Sequence, residues 1–276
     1  MKISISARKE FFVPISDWLT FMKSHAKIHS NFEFNDEDID YVFGQTEERT
    51  ALWGGRVADE FNLTRPDIYH LYDKNIGLKP TLSAKVITDD SYQETKFLLN
   101  QYHREGNAIV VGTDKLAERI KNDYPDYKLE ASAVFDITTK EKLEQKIKTN
   151  LYDTIVLPIC MNDDLEFLKD IKNKDQIRLF MNAECSYTCP KKVCYGSMTR
   201  INQGKVEPDD MKCSHYDLNL PRTKYDDSVD WNNFYFDKSV YDNLGYNNYK
   251  LVPSFANSQR TNIMYKNPLE VEFALG

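Results

Sequence analysis

The feature that most constrains the fold is a recurring pair: a short apolar run, then a stretch with helical spacing. Ala108-Ile109-Val110-Val111-Gly112 reads as a buried strand, and Thr113 is placed to cap a helix over 114–124. Thr154-Ile155-Val156-Leu157-Pro158 precedes a helix over 163–171, and Ile177-Arg178-Leu179-Phe180-Met181 is a further buried strand. Strands are also expected at 39–44, 79–84, 131–135, 233–236 and 249–252. The helices between them fall at 58–73, 90–104, 139–150 and 239–244, and a closing helix at 257–265. The breaker-like Thr64-Arg65-Pro66-Asp67 sits inside the first of these.

Short apolar strands alternating with helices imply a parallel sheet, because parallel neighbours need a crossover between them. Eight such units in 276 residues predict an α/β fold, a (β/α)8 TIM-like barrel forming a single domain over 1–276. An open doubly wound sheet is the alternative. Residues 1–37 read as a helical lead-in, with an amphipathic helix over 18–28, and residues 182–216 as a long cysteine-bearing loop.

The chain is 41% hydrophobic and 29% charged, a globular balance, and no apolar run reaches the ~18–20 residues of a membrane span. The N-terminus lacks the apolar core of a secretory signal, so a cytoplasmic location with reduced thiols is expected. A net charge of −7 gives no electrostatic case for nucleic acid as the main partner, though a small-molecule or nucleobase-containing substrate stays open. Nothing in the sequence specifies an oligomeric state.

Four of the five cysteines, Cys185, Cys189, Cys194 and Cys213, fall in a C-x3-C-x4-C-x18-C pattern directly after the 177–181 strand. Thiolates at a strand end converge well on soft metals. Four of them at flexible spacings suit a [4Fe–4S] cluster. Zinc is the alternative cofactor, although structural zinc usually uses C-x2-C knuckles. Thiols without any ligand are a third reading. A radical S-adenosylmethionine site is a fourth, but its C-x3-C-x2-C motif requires a cysteine where Lys192 stands. Cys160, after the 154–158 strand, reads as a small packed residue.

In a barrel, function gathers at the C-terminal ends of the strands. Gly54, Gly55 and Arg56 combine close backbone approach with a forked cation and are candidate substrate-binding residues. Arg200 and Asn202, between the third and fourth clustered cysteines, are candidates for the same role. Glu184 and His215 flank cysteines and read as solvated loop residues. The aromatic tract at 231–249 reads as packing in preference to base stacking. No dinucleotide fingerprint, P-loop, Gly-x-Ser-x-Gly elbow or recognisable nucleophile–base pair occurs, and no catalytic residue is assigned.

The run Phe180-Met181-Asn182-Ala183-Glu184-Cys185 through Arg200-Ile201-Asn202, with Gly54-Gly55-Arg56, resembles the collagenase-like (U-thirty-two) peptidase family, in a compact phage- and bacteria-type branch. The resemblance spans roughly residues 41–265, with sharp agreement at those two motifs. It implies a barrel with a [4Fe–4S] cluster on Cys185, Cys189, Cys194 and Cys213. It further implies O2-independent hydroxylation or a related modification of a nucleobase or aromatic substrate, in preference to peptide cleavage. Two departures stand out: Cys213 is alone where the family pairs cysteines, and Val252-Pro253-Ser254 follows the last strand where a basic residue is usual. A non-catalytic binding or scaffold protein, stapled by zinc or a structural cluster, is the rival class.

Overall fold

A computed structural model describes residues 1–7, 13–30, 32–54, 62–182, 185–207, 210–214, 217–224, 226–231 and 233–252, apart from the side chains of Cys185 and Ser186. Eight strands form a closed barrel: β1 (Lys2–Ser6), β2 (Ile39–Gly44), β3 (Gly77–Leu82), β4 (Ala108–Val111), β5 (Lys128–Ala131), β6 (Thr154–Val156), β7 (Ile177–Phe180) and β8 (Asn248–Leu251). Each pairs with its sequence neighbours in parallel, and β8 pairs with β1 to close the ring. The expected (β/α)8 architecture is therefore the one observed.

Helices fill the crossovers: α1 (Ile15–Ser30), α2 (Arg65–Asp73), α3 (Asp89–Gln101), α4 (Asp114–Asp123), α5 (Lys140–Lys148) and α6 (Leu165–Asp170). Thr64, Thr88, Thr113 and Thr139 begin α2 to α5, each side chain accepting the backbone N–H three residues on. Thr64 and Asp67 complete a reciprocal capping box with Pro66 in the first turn, so the motif that looked like a break is a start. In α1, Ile15, Trp18, Leu19, Met22 and Ala26 form the buried stripe, and Trp18 Nε1 donates to the Ser6 carbonyl at the end of β1 (2.7 Å).

Three features differ from the sequence reading. The lead-in contains β1, so the barrel closes through the first residues of the chain. Residues 233–236 form no ladder; Tyr235 makes an isolated antiparallel bridge to Asn182. The strand expected at 131–135 is Lys128–Ala131, and Ala133–Phe135 is a 3-10 turn capped by Ser132. The total of eight survives, but the cysteines follow the seventh strand instead of the sixth. The expected closing helix at 257–265 lies outside the described residues. Among the described residues no helix is long and apolar enough to cross a membrane.

Packing leaves no room at one strand start. A Cβ on Gly77 would collide with the Gly106 carbonyl oxygen and stand 2.7 Å from the Tyr41 ring, whereas one on Gly196 would meet nothing within 4 Å. Gly77→Ala should therefore destabilise the protein by about 1–3 kcal/mol. Gly196→Ala, in a helix interior, should be neutral or stabilising by up to about 1 kcal/mol. Urea unfolding of both variants checks the contrast.

Candidate functional site

Side chains from non-adjacent strands of a closed barrel can meet only inside it. Lys79 on β3 donates to Ser4 Oγ on β1 (3.2 Å) and to Glu130 Oε2 on β5 (2.5 Å). Lys250 on β8 donates to Glu130 Oε1 (2.9 Å). Arg178 on β7 pairs with Asp40 on β2, and its Nη1 lies 3.5 Å from Glu130 Oε2. Alternate strands thus supply Ser4, Lys79, Glu130 and Arg178 to one interior layer, where barrels of this type usually place branched aliphatics. The β1–β2 register slips between Ile3↔Ile39 and Ser4↔Tyr41, leaving Asp40 as the extra residue that meets Arg178. Aromatic faces complete the lining, with the Lys79 ammonium 4.0 Å from the Tyr41 ring centre and that of Lys250 3.9 Å from Phe43.

Burial sets the protonation of this layer. It would raise the Glu130 carboxyl, but Lys250, Lys79 and Arg178 together outweigh it and hold the group well below the usual carboxylate range. Burial, reinforced by the Arg178 charge, pushes the Lys79 ammonium down to about 7 against the pull of Glu130. Burial would also lower Arg178, and Asp40 and Glu130 reverse that effect. These charges escaped the sequence reading because each sits singly in an otherwise apolar strand. The available signal was position: Lys79, Glu130 and Arg178 each break an apolar run where the side chain faces inward.

Above this layer lies the C-terminal mouth. Thr81, two residues beyond Lys79 on β3, has a buried Oγ without a hydrogen-bond partner. Its carbonyl accepts from Gly54 N (2.9 Å), and a Cβ on Gly54 would strike Ser83. Gly54 therefore permits a close approach of its own backbone to the end of β3. Asn202 Nδ2 donates to the Trp53 carbonyl (2.6 Å), joining the cysteine loop to the Trp53–Gly54 segment. Gly54 and Asn202 thus come to the same rim, with Asn202 tying backbone. Gly55 and Arg56 lie outside the described residues, as do Glu184 and His215. Arg200 stands exposed on α8 (Cys194–Asn202).

The cysteine run leaves the end of β7 through Asn182, which is fully buried. Its Oδ1 accepts from Val252 N (2.9 Å) and its Nδ2 donates to Val252 O, clamping the ends of β7 and β8 together. Cys185 opens α7 (Cys185–Thr188). Thr188, beside Cys189, is held by Arg222 Nη1 (2.8 Å) and by Thr223 N (2.8 Å). Val193, beside Cys194, donates its N–H to Ser214 Oγ, next to Cys213 (3.3 Å), and Lys212 N donates to Ser197 Oγ (3.3 Å). These bonds tie the segment bearing Cys194 to that bearing Cys213, and the Cys189 end of α7 to residues 222–223. Tyr187 packs on Trp231, Phe234 and Phe236, so the aromatic tract staples the loop to the barrel, as read from the sequence.

Cys189, Cys194 and Cys213 are half-buried and outside any disulfide. Lys192, in the left-handed region (φ 50°), turns its N–H onto Cys189 Sγ at 3.2 Å. An amide donor on sulfur stabilises a thiolate, and partial burial suits a thiolate-bound group. Among the described residues no three His, Cys, Asp or Glu side chains converge as a metal site, and the Cys185 side chain is not among them. Cys160 lies in the 3-10 turn Ile159–Asp163, half-buried against the core.

No protein-family model and no curated protein matches this chain. Among solved structures it is similar to the U32 peptidase Mk0906, at 14% identity and a TM-score of 0.57, over 91% of this chain and 92% of that one. At that identity the likeness establishes a shared fold.

Glu130 is shared by three buried cations, so Glu130→Gln should cost about 3–5 kcal/mol by removing the negative charge they have in common. Because its carboxyl is depressed on folding, its contribution is fully present above the ordinary value of 4.5 and is lost as the pH falls below it. Chemical denaturation of both forms at pH 7 and pH 3.5 should show the gap between them shrinking in acid.

Proposed function

We propose that the protein is an iron–sulfur barrel enzyme, with a [4Fe–4S] cluster held by Cys185, Cys189, Cys194 and Cys213. The observation that carries the reading is the cysteine run itself. It issues from the end of β7 onto the mouth of a barrel with the U32 fold, and a hydrogen bond ties the segment bearing Cys194 to the one bearing Cys213. When bound, such a cluster supplies one-electron redox chemistry. The chain contributes the surroundings: the Lys192 N–H at Cys189 Sγ, the aromatic staple that covers one side, and the Asn182 clamp that fixes the loop's root.

The substrate half of the reading places a nucleobase-like or aromatic molecule at the strand ends, between the loop and the Gly54-Gly55-Arg56 segment. Asn202 holds that segment's carbonyl and so sets the rim against which the substrate packs. The reaction class is O2-independent hydroxylation or a related modification. The neighbour Mk0906 is described as a peptidase; for this chain we favour redox modification, because four cysteines follow β7 in sequence.

Anaerobic purification followed by iron and acid-labile sulfide assays tests the cluster. The wild type should be brown, with absorbance near 400 nm as expected for this cluster type. Cys189→Ala should lose most of the iron, and Cys160→Ala should retain it. Equal iron in both variants, or a colourless protein carrying one zinc, would overturn the assignment.

A further inference from the structure

We propose that the barrel lumen is an oxyanion site: Lys250, backed by Glu130 and Lys79, receives a carboxylate or phosphate group entering through the C-terminal mouth. The inference concerns the substrate side of the reading above and does not require the cysteines to hold a cluster. Its first support is a charge count. Among the described residues, three cationic side chains, Lys79, Arg178 and Lys250, share the interior with two carboxylates, Asp40 and Glu130, and all but Asp40 are at least nine-tenths buried. One positive charge is left over in a medium where an uncompensated charge costs several kcal/mol. A singly charged anion supplies the missing complement.

Unspent donors are the second support. Among the described residues, Arg178 Nε and Thr81 Oγ, on the mouth side of Lys79, are buried without a hydrogen-bond partner, and Arg178 Nη1 faces Glu130 at 3.5 Å without forming a hydrogen bond. Lys250 directs one of its three N–H groups to Glu130, and its side chain is more exposed than that of Lys79, 7% against 1%. Its carbonyl accepts from Met181 N, which places it beside the root of the cysteine run (3.0 Å). Thr81 adjoins Gly54 in the same way. Gly54 and the root of the cysteine run therefore both stand beside this cationic layer.

Anion binding should be coupled to a proton. Lys79 faces Ser4 from β1, Asp40 and Tyr41 from β2, Glu130 from β5, Arg178 from β7 and Lys250 from β8. Without an anion, the surplus charge is relieved when Lys79 releases its proton, which its lowered value near 7 allows. With an anion in place the protonated form is restored, so binding takes up a proton. Affinity should be highest below that value and fall as the pH rises past it, by roughly tenfold per unit at the limit.

Titration calorimetry with inorganic phosphate and, separately, with benzoate distinguishes the two oxyanion sources. It should be run at pH 6 and pH 8.5 in buffers of differing ionisation enthalpy, on protein with and without reconstituted iron and sulfide. At least one probe should bind at pH 6, bind at least tenfold more weakly at pH 8.5, and take up a proton between these limits, whatever the iron content. Lys79→Met should abolish the pH dependence and weaken binding at pH 6, while a surface change such as Lys140→Met should alter neither. Absence of binding by both probes at pH 6 would overturn the proposal, as would wild-type affinity independent of pH. If Lys79→Met does not fold, the wild-type pH and buffer dependence decides alone. Anion binding that persists without iron separates this outcome from the fate of the cluster reading.

Discussion

Glu130 is the group on which the interior depends. A parallel barrel ordinarily fills its centre with aliphatic side chains, whose packing tolerates small errors. Here one carboxylate receives Lys79, Lys250 and Arg178 from three different strands, and Arg178 passes the connection on to Asp40 across the β1–β2 slip. The strands are thus held at their inner faces by charge as well as at their edges by backbone hydrogen bonds. Such a centre is exacting, since removal of one partner strands the others in a low-dielectric space.

The mouth is assembled on different terms. The cysteine-bearing segments are held by threonine and serine hydroxyls, single backbone amides and a cluster of aromatic rings. Few aliphatic side chains take part. Interactions of this kind specify a geometry while contributing modest stability. The barrel beneath the mouth is closed by its own strand pairing and apolar core.

How much of this was legible in the sequence follows from which faces were apolar. β4 and β7 were readable to within a residue because nearly continuous apolar runs mark strands buried on both sides. β1 was not, although Lys2-Ile3-Ser4-Ile5-Ser6 alternates cleanly. Its polar face looks into the lumen and its isoleucines pack outward under the helices, the reverse of a half-exposed strand. β5 was misplaced for a related reason: Glu130 interrupts its apolar pattern, and the smoother run at 131–135 proved to be a turn. At the site, the sequence singled out the cysteines and Gly54, because each belongs to a local motif. It concealed the charged layer, because only closure of the barrel brings together the lone charges of five strands. For Asn202, the link to Trp53 could not be read from a span of 149 residues.

The pairing of β1 with β8 has a consequence for how the chain acquires its structure. The two halves of that seam lie at opposite ends of the described chain, with Lys2 opposite Asn248. At synthesis rates of roughly 5–20 residues per second, β1 waits on the order of 10–50 s for its second neighbour. During that interval its outer edge, with two isoleucines on one face, is open to any other extended segment. Trp18, donating to the Ser6 carbonyl from the first helix, is available within the same first thirty residues. It is suited to hold the end of β1 in place while the rest of the ring is made, so the earliest contact in the chain guards the last one to form.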